Sequence, residues 1–237
     1  MVTDSQARQG RIFEIVEREN LTRKRVAFNI PTGRYSVRTA QADSLTRQKL
    51  LDAAQELMLA KGFTATTVDE VCETAGLTKG SFFHYFEGKE HLGRVVAERF
   101  FSSRKEMFQS APYREKKDPL DRVFGLVDFL AEMARSPTAV KGCLLGTFVQ
   151  ELSQTHPQIR SVCAACFEEQ AEFLKQDLEQ AKAKYAPRAR WRPQSLAEHL
   201  IAVVQGAIIL AKAKQDKQVM VESLGHVREY LKCLFGR

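Results

Sequence analysis

Nine consecutive residues, TKGSFFHYF at 78 to 86, concentrate more interaction chemistry than any other stretch of the chain. Thr78 and Ser81 carry hydroxyls, Lys79 an ammonium, Gly80 a bare backbone, and Phe83, His84 and Tyr85 supply rings, two of them with polar edges. A helix this short cannot bury all its faces, so some of these rings must meet a surface other than the chain's own core. Phe82 and Phe86 fall four apart and are expected on the inward face, with Phe83 and His84 on the opposite side. Donors and flat rings with no partnered base make a binding surface; they do not make a nucleophile.

A second candidate is Cys143, in the run Lys141-Gly142-Cys143. A neighbouring cation and, if Gly142 lies near a helix start, the positive end of a helix dipole would both raise its thiolate fraction. The alternative is a buried structural thiol. Cys163 and Cys166 have CxxC spacing, but SVCAACFEEQAEFLKQ reads as helix and no second pair completes a metal site, so they are expected to be small packing side chains. Five cysteines, an odd count without a secretion signal, argue for thiols and against a disulfide framework. His156-Pro157 marks a helix start, and neither His199 nor His226 has a partner at ligand spacing. There is no Ser-His-Asp arrangement, glycine-rich phosphate loop or paired carboxylate in an apolar setting. No catalytic residue, metal or cofactor is therefore expected, although spacing alone leaves a helical enzyme or a non-specific nucleic-acid-binding module as alternatives.

The elements that must position these groups are helical. The chain has 237 residues, 44% hydrophobic and 27% charged, with 7 Pro and 13 Gly. That size fits one large domain or a small module joined to a larger one. A formal charge of +7 favours a polyanionic partner. LIAVVQGAIILA (200 to 211) is too short to span a bilayer, so a cytoplasmic protein with no membrane partner is expected. Residues 1–43 lack a sustained apolar period and form a basic arm, either a flexible tail or a DNA-contacting segment. IFEIVEREN (12 to 20) suits a short helix, and NIPTGRYS (29 to 36) carries turn signals. From Ser44 the spacing of Leu50, Ala53, Ala54, Leu57 and Met58 marks an amphipathic helix, with Ser44 or Thr46 at its start and Gly62 at its end. TTVDEVCETAG and TKGSFFHYF follow, separated by a turn in which Gly76 can take a positive φ. This is the spacing of a helix-turn-helix. Helices are then expected over 89–108, 120–135, 141–154, 157–184, 193–213 and 218–234.

LLDAAQELMLAKGFTATTVDEVCETAGLTKGSFFHYFEGKEHL, from Leu50 to Leu92, resembles the DNA-binding domain of the TetR family of bacterial transcriptional regulators. The Ala-Ala first helix, KGF before Thr-Thr-Val, the AGLTKG turn, the aromatic helix ending in Phe86 and the Lys-Glu that follows carry the likeness. KGCLLGTFVQELSQTHPQIR and QGAIILAKAKQDKQVM look like the effector domain of one branch. The resemblance implies an all-α fold: a helix-turn-helix domain at 44–92 and an effector-binding and dimerisation domain at 93–237. It also implies a homodimer on a near-palindromic double-stranded operator, most commonly a repressor, released by a small-molecule effector.

By the same resemblance Thr78, Lys79 and Ser81 reach base edges, Gly80 gives the backbone room to approach DNA, Phe83, His84 and Tyr85 contact DNA, and Lys89, Thr46 and Thr67 hold phosphate at helix starts. Two positions depart from the family. Phe83 stands where a Tyr is usual, losing a phosphate hydrogen bond and leaving an apolar contact; Tyr85 stands where His is common and could restore one. Phe124, Phe148 and Phe167 are candidate walls of an effector pocket, and Cys143 lies in a GCL stretch that suits a redox- or electrophile-sensing regulator.

Overall fold

The computed structural model describes residues 35–136 and 142–237, and among them the regular structure is helical throughout. The basic-arm readings at 12–20 and 29–34, and Lys141, lie outside the described residues. The chain divides into two units, Met1–Ala42 and Asp43–Arg237, the first described only from Tyr35.

Helix α1 spans Tyr35–Lys61. It begins well upstream of Ser44 and Thr46, so neither residue caps it. No Pro or Gly interrupts the sequence from Tyr35 to Lys61, and alanines at 40 and 42 favour continuation. Its end is as expected: Gly62 takes φ 87° and its N–H closes on the Met58 carbonyl at 3.0 Å.

The next two helices are short and tightly capped. In α2 (Val68–Ala75) the Thr67 side chain accepts the Glu70 N–H at 3.2 Å, while the Glu70 carboxylate accepts the Thr67 N–H at 2.9 Å. Gly76, at φ 65°, ends it. Helix α3 (Lys79–Tyr85) starts from Thr78, whose hydroxyl accepts the Ser81 N–H at 3.2 Å.

Helix α4 (Lys89–Gln109) leads through a 3-10 turn at Pro112–Glu115 into the body, made of α5 (Pro119–Arg135), α6 (Leu144–Leu152), α7 (Pro157–Tyr185), α8 (Pro193–Lys214) and α9 (Gln218–Phe235). Prolines open α5, α7 and α8, where a missing N–H costs nothing.

Two large cores hold the unit. One joins the helix-turn-helix to the body: Leu50, Met58, Phe63, Phe82, Phe86 and Leu92 cluster with Leu144, Phe148, Ile159 and Cys163. The other lies among α5, α7, α8 and α9. Buried Asp177 ties this half together by pairing with Arg114 and, at 2.8 Å, with the Arg122 Nε.

Helix α8 corrects the expectation drawn from its central twelve residues. At 22 residues it is long and apolar enough to cross a membrane by length and composition, because Leu196 and Ala197 extend the apolar run upstream. It packs against α7 and α9, yet only 28% of its most apolar window is buried.

Candidate nucleic-acid interface and sensor thiol

Helix α3 divides its rings as the four-residue spacing predicts. Phe82 and Phe86 are fully buried, whereas Phe83 and His84 are exposed. Phe83 leans edge-on against Phe82, with ring centroids 5.1 Å apart, so the buried ring steadies the exposed one. Tyr85 is half-buried against the core, its ring 4.7 Å from that of His84.

At the start of α3 the polar groups are already organised. The Thr78 and Ser81 hydroxyls lie 3.1 Å apart, and Lys79 pairs with Asp69 of α2 at 2.7 Å. The Asp69 carboxylate raises the Lys79 pKa, so the ammonium stays charged. A Cβ on exposed Gly80 would meet nothing nearer than the Thr78 hydroxyl at 3.6 Å, which leaves the backbone open to a close partner. The Arg47 guanidinium lies 5.7 Å from the Phe86 ring centroid, an exposed cation beside the same helix that the sequence reading passed over.

Of the three other expected contact residues, Thr67 and Lys89 stand at helix starts as expected, and Thr46 does not. Thr46 lies inside α1, half-buried, not at a helix start. The Thr67 hydroxyl is engaged in its capping box, also reaching Glu70 Oε2 at 2.9 Å. Lys61 completes that cluster, and its hydrogen bond, followed by those of the Thr67 backbone and hydroxyl, holds the Glu70 carboxyl down at about 2. The T-x-x-E spacing of Thr67 and Glu70 was a sequence signal for this box. Lys89 donates to the carbonyls of Phe63, Thr64 and Thr66 at 3.1, 3.2 and 2.9 Å. Burial lowers its pKa, against the raising pull of Glu151 and Glu70. The Lys89 ammonium is thus turned to the protein.

The candidate sensor sits at the start of α6. Cys143 is the N-cap residue, half-buried, preceded by Gly142 at φ 86°. A Cβ on Gly142 would fall 2.6 Å from Cε and 2.9 Å from Nζ of Lys212 on α8, so an ammonium rests against the residue before the thiol. Cys163 and Cys166, in the same core, are pushed up to about 12 by burial and stay protonated. Phe148 and Phe167 join Cys143 in that core, but Phe124 belongs to the other cluster, under the Arg228 guanidinium at 5.0 Å. A groove of about 370 Å3 opens between α1 and α4, lined by Asp52, Gln55, Glu56, Leu59, Phe100, Ser103, Arg104 and Gly142.

An exposed, polar-rimmed second helix of a helix-turn-helix on an all-helical body defines a DNA-binding regulator with a separate sensing region. Comparison with known proteins fixes the family. The description "Bacterial regulatory proteins, tetR family" matches residues 50–94, and "Tetracyclin repressor-like, C-terminal domain" matches residues 119–227. The chain is 31% identical over 177 residues to the transcriptional regulator AcuR of Cereibacter sphaeroides, covering 74% of this chain and 80% of AcuR. It is 28% identical over 185 residues to the transcriptional repressor DhaR of a Mycobacterium species, covering 78% of this chain and 91% of DhaR. The crystal structure of reduced Escherichia coli NemR superposes with a TM-score of 0.69 at 26% identity, covering 78% of this chain and 95% of NemR. The chain belongs to the TetR family of bacterial transcriptional regulators, and it is a ligand-responsive, DNA-binding member of that family.

Proposed function

We propose that two copies bind a near-palindromic operator as a repressor in the cytoplasm and release it when a small molecule or an electrophile acts on the body, with Cys143 as the sensing thiol. The observation that carries this reading is the shared core. The head that bears α3 packs directly on α6, the helix that Cys143 caps. A change at the thiol therefore has a short, rigid route to the DNA-binding surface. Residues 44–92 act as the DNA-binding domain and 93–237 as the effector-binding and dimerisation domain.

Phe83 meets a sugar or a thymine methyl, while Thr78, Lys79, Ser81 and His84 supply polar contacts around it. Tyr85 and the α4 N-terminus contribute at the phosphate backbone. The second copy covers the exposed side chains of α8 and α9, Ile209, Leu210 and Tyr230. Release follows if the modified or liganded body favours a head separation that the operator does not fit; DNA affinity then falls by the ligand's differential affinity for the two states. A Cys143 thiolate adding to a quinone ring carbon forms an S–C bond as the ring C=C π bond opens, and the quinone oxygen that receives the electron pair takes up a proton.

The test begins with selection of genomic fragments by the purified protein at physiological salt. A shared near-palindrome is expected, and retention of fragments with no common site would overturn the repressor reading. On that operator, a quinone should release the wild type and leave Cys143→Ser bound. Equal release of both would remove Cys143 from the mechanism and leave a non-covalent effector in its place.

A further inference from the structure

The turn between α1 and α2 is gripped by groups from two other helices. Glu151, at the end of α6, accepts the Phe63 N–H at 2.8 Å on Oε2 and the Thr64 N–H at 2.7 Å on Oε1. Lys89, at the start of α4, takes the three carbonyls of the same turn, and its Nζ lies 4.5 Å from the Phe63 ring centroid. The ring enters the body, 5.8 Å from Phe148 and 5.1 Å from His156 between centroids. Two glycines make room. A Cβ on Gly62 would lie 2.8 Å from Glu151 Oε2, and one on Gly93 would lie 2.7 Å from Phe63 Cε2. Burial works to raise the Glu151 pKa, but hydrogen bonds from Thr64 and Phe63 and the Lys89 charge outweigh it and keep the carboxyl below its ordinary value.

Helix α6 thus has the candidate thiol at its first end and the turn-gripping carboxylate at its last. We infer that Glu151 is a positioning residue that sets the orientation of each DNA-binding head on its body, and thereby the operator spacing that a dimer accepts. This rests on the dimeric operator reading above. The apolar part of the joint, Phe63 against Phe148 and Ile159, holds the head folded without Glu151. The carboxylate adds direction, since two charge-assisted bonds to successive N–H groups fix the turn's angle as well as its distance.

The experiment uses full-length protein, the selected operator, the same operator with two base pairs inserted between half-sites, and an isolated half-site. Wild type should lose about 10²- to 10⁴-fold affinity on the respaced operator, because both heads can no longer engage at once. Glu151→Ala should lose most of that penalty while keeping half-site affinity, and Glu151→Gln, which retains one carbonyl acceptor, should fall between. A wild-type spacing penalty in both variants would overturn the inference. So would a loss on the half-site that matches the loss on the full operator, the signature of a damaged fold. Amide hydrogen exchange decides the matter without DNA: in Glu151→Gln the amides of Phe63 and Thr64 should exchange faster while α3 keeps its protection. Unchanged exchange in that turn would refute the grip even if the operator reading itself failed.

Discussion

Helix α3, the candidate recognition helix, and the dimer-candidate helix α8 both leave large apolar side chains in water, in different company. Phe83 is 58% exposed and stands alone among exposed Lys79, His84 and Thr78. On α8, Ile209 and Leu210 are adjacent, 44% and 50% exposed, and Tyr230 of α9 lies beside that helix with its ring 5.5 Å from His199. A lone ring in a polar rim suits a wet, charged partner that offers an occasional apolar spot. Neighbouring apolar side chains on a long apolar helix suit another apolar surface. Exposure alone does not separate the two; the neighbours of the exposed group do.

The largest expected effect comes from breaking the patch. Ile209→Glu should give a monomer in sedimentation and lower full-operator affinity by about 10²- to 10⁴-fold, with half-site binding retained. A dimer that survives would show that α8 faces something else. Next, Phe82 and Phe83 should part company although they are sequence neighbours. Phe82→Ala should cost about 3–5 kcal/mol of stability in chemical denaturation. Phe83→Ala should leave stability within about 0.5 kcal/mol and weaken operator binding by about 1–3 kcal/mol, the scale of a base contact. Thr67→Ala, which removes the capping box that opens α2, should cost about 1 kcal/mol.

The smallest effect is a pH response. Glu70 has its folded pKa lowered to about 2, so its contribution is complete above the ordinary carboxylate range and is lost only as pH falls toward that value. Carboxyl titration by NMR should show Glu70 still ionised at pH 4; protonation near the ordinary value would mean that Lys61 and Thr67 do not hold it.

Local chemistry made the head legible from sequence. Thr67, Gly76 and Thr78 act on residues within five positions of themselves, and the α2, turn and α3 assignments follow from them. Where partners are distant, sequence was silent. Glu151 lies 87 and 88 residues from the amides it binds, and nothing in QELSQ announces a hydrogen-bond acceptor for so distant a turn. Lys89 was read as a phosphate clamp because a cation at a helix start is one when the carbonyls of a folded turn are out of view. Lys212 illustrates the same limit, since only packing brings α8 alongside Gly142. The early start of α1 was missed for a different reason: Ser44 and Thr46 are good caps, but a cap residue stops a helix only when the preceding residues prefer another conformation.

The thiols, finally, make the molecule a clock for its own opening. Cys72 is buried in the head, with its pKa raised first by burial, while Cys163 and Cys166 are buried where α7 meets the head-to-body core. Exposed Cys233 reports ordinary reagent access. A slow alkylator followed by mass spectrometry would then time two local unfolding events separately on an unlabelled, wild-type chain. If the head frays first, the mark appears on Cys72; if the joint yields as a unit, Cys72 and the α7 pair are marked together.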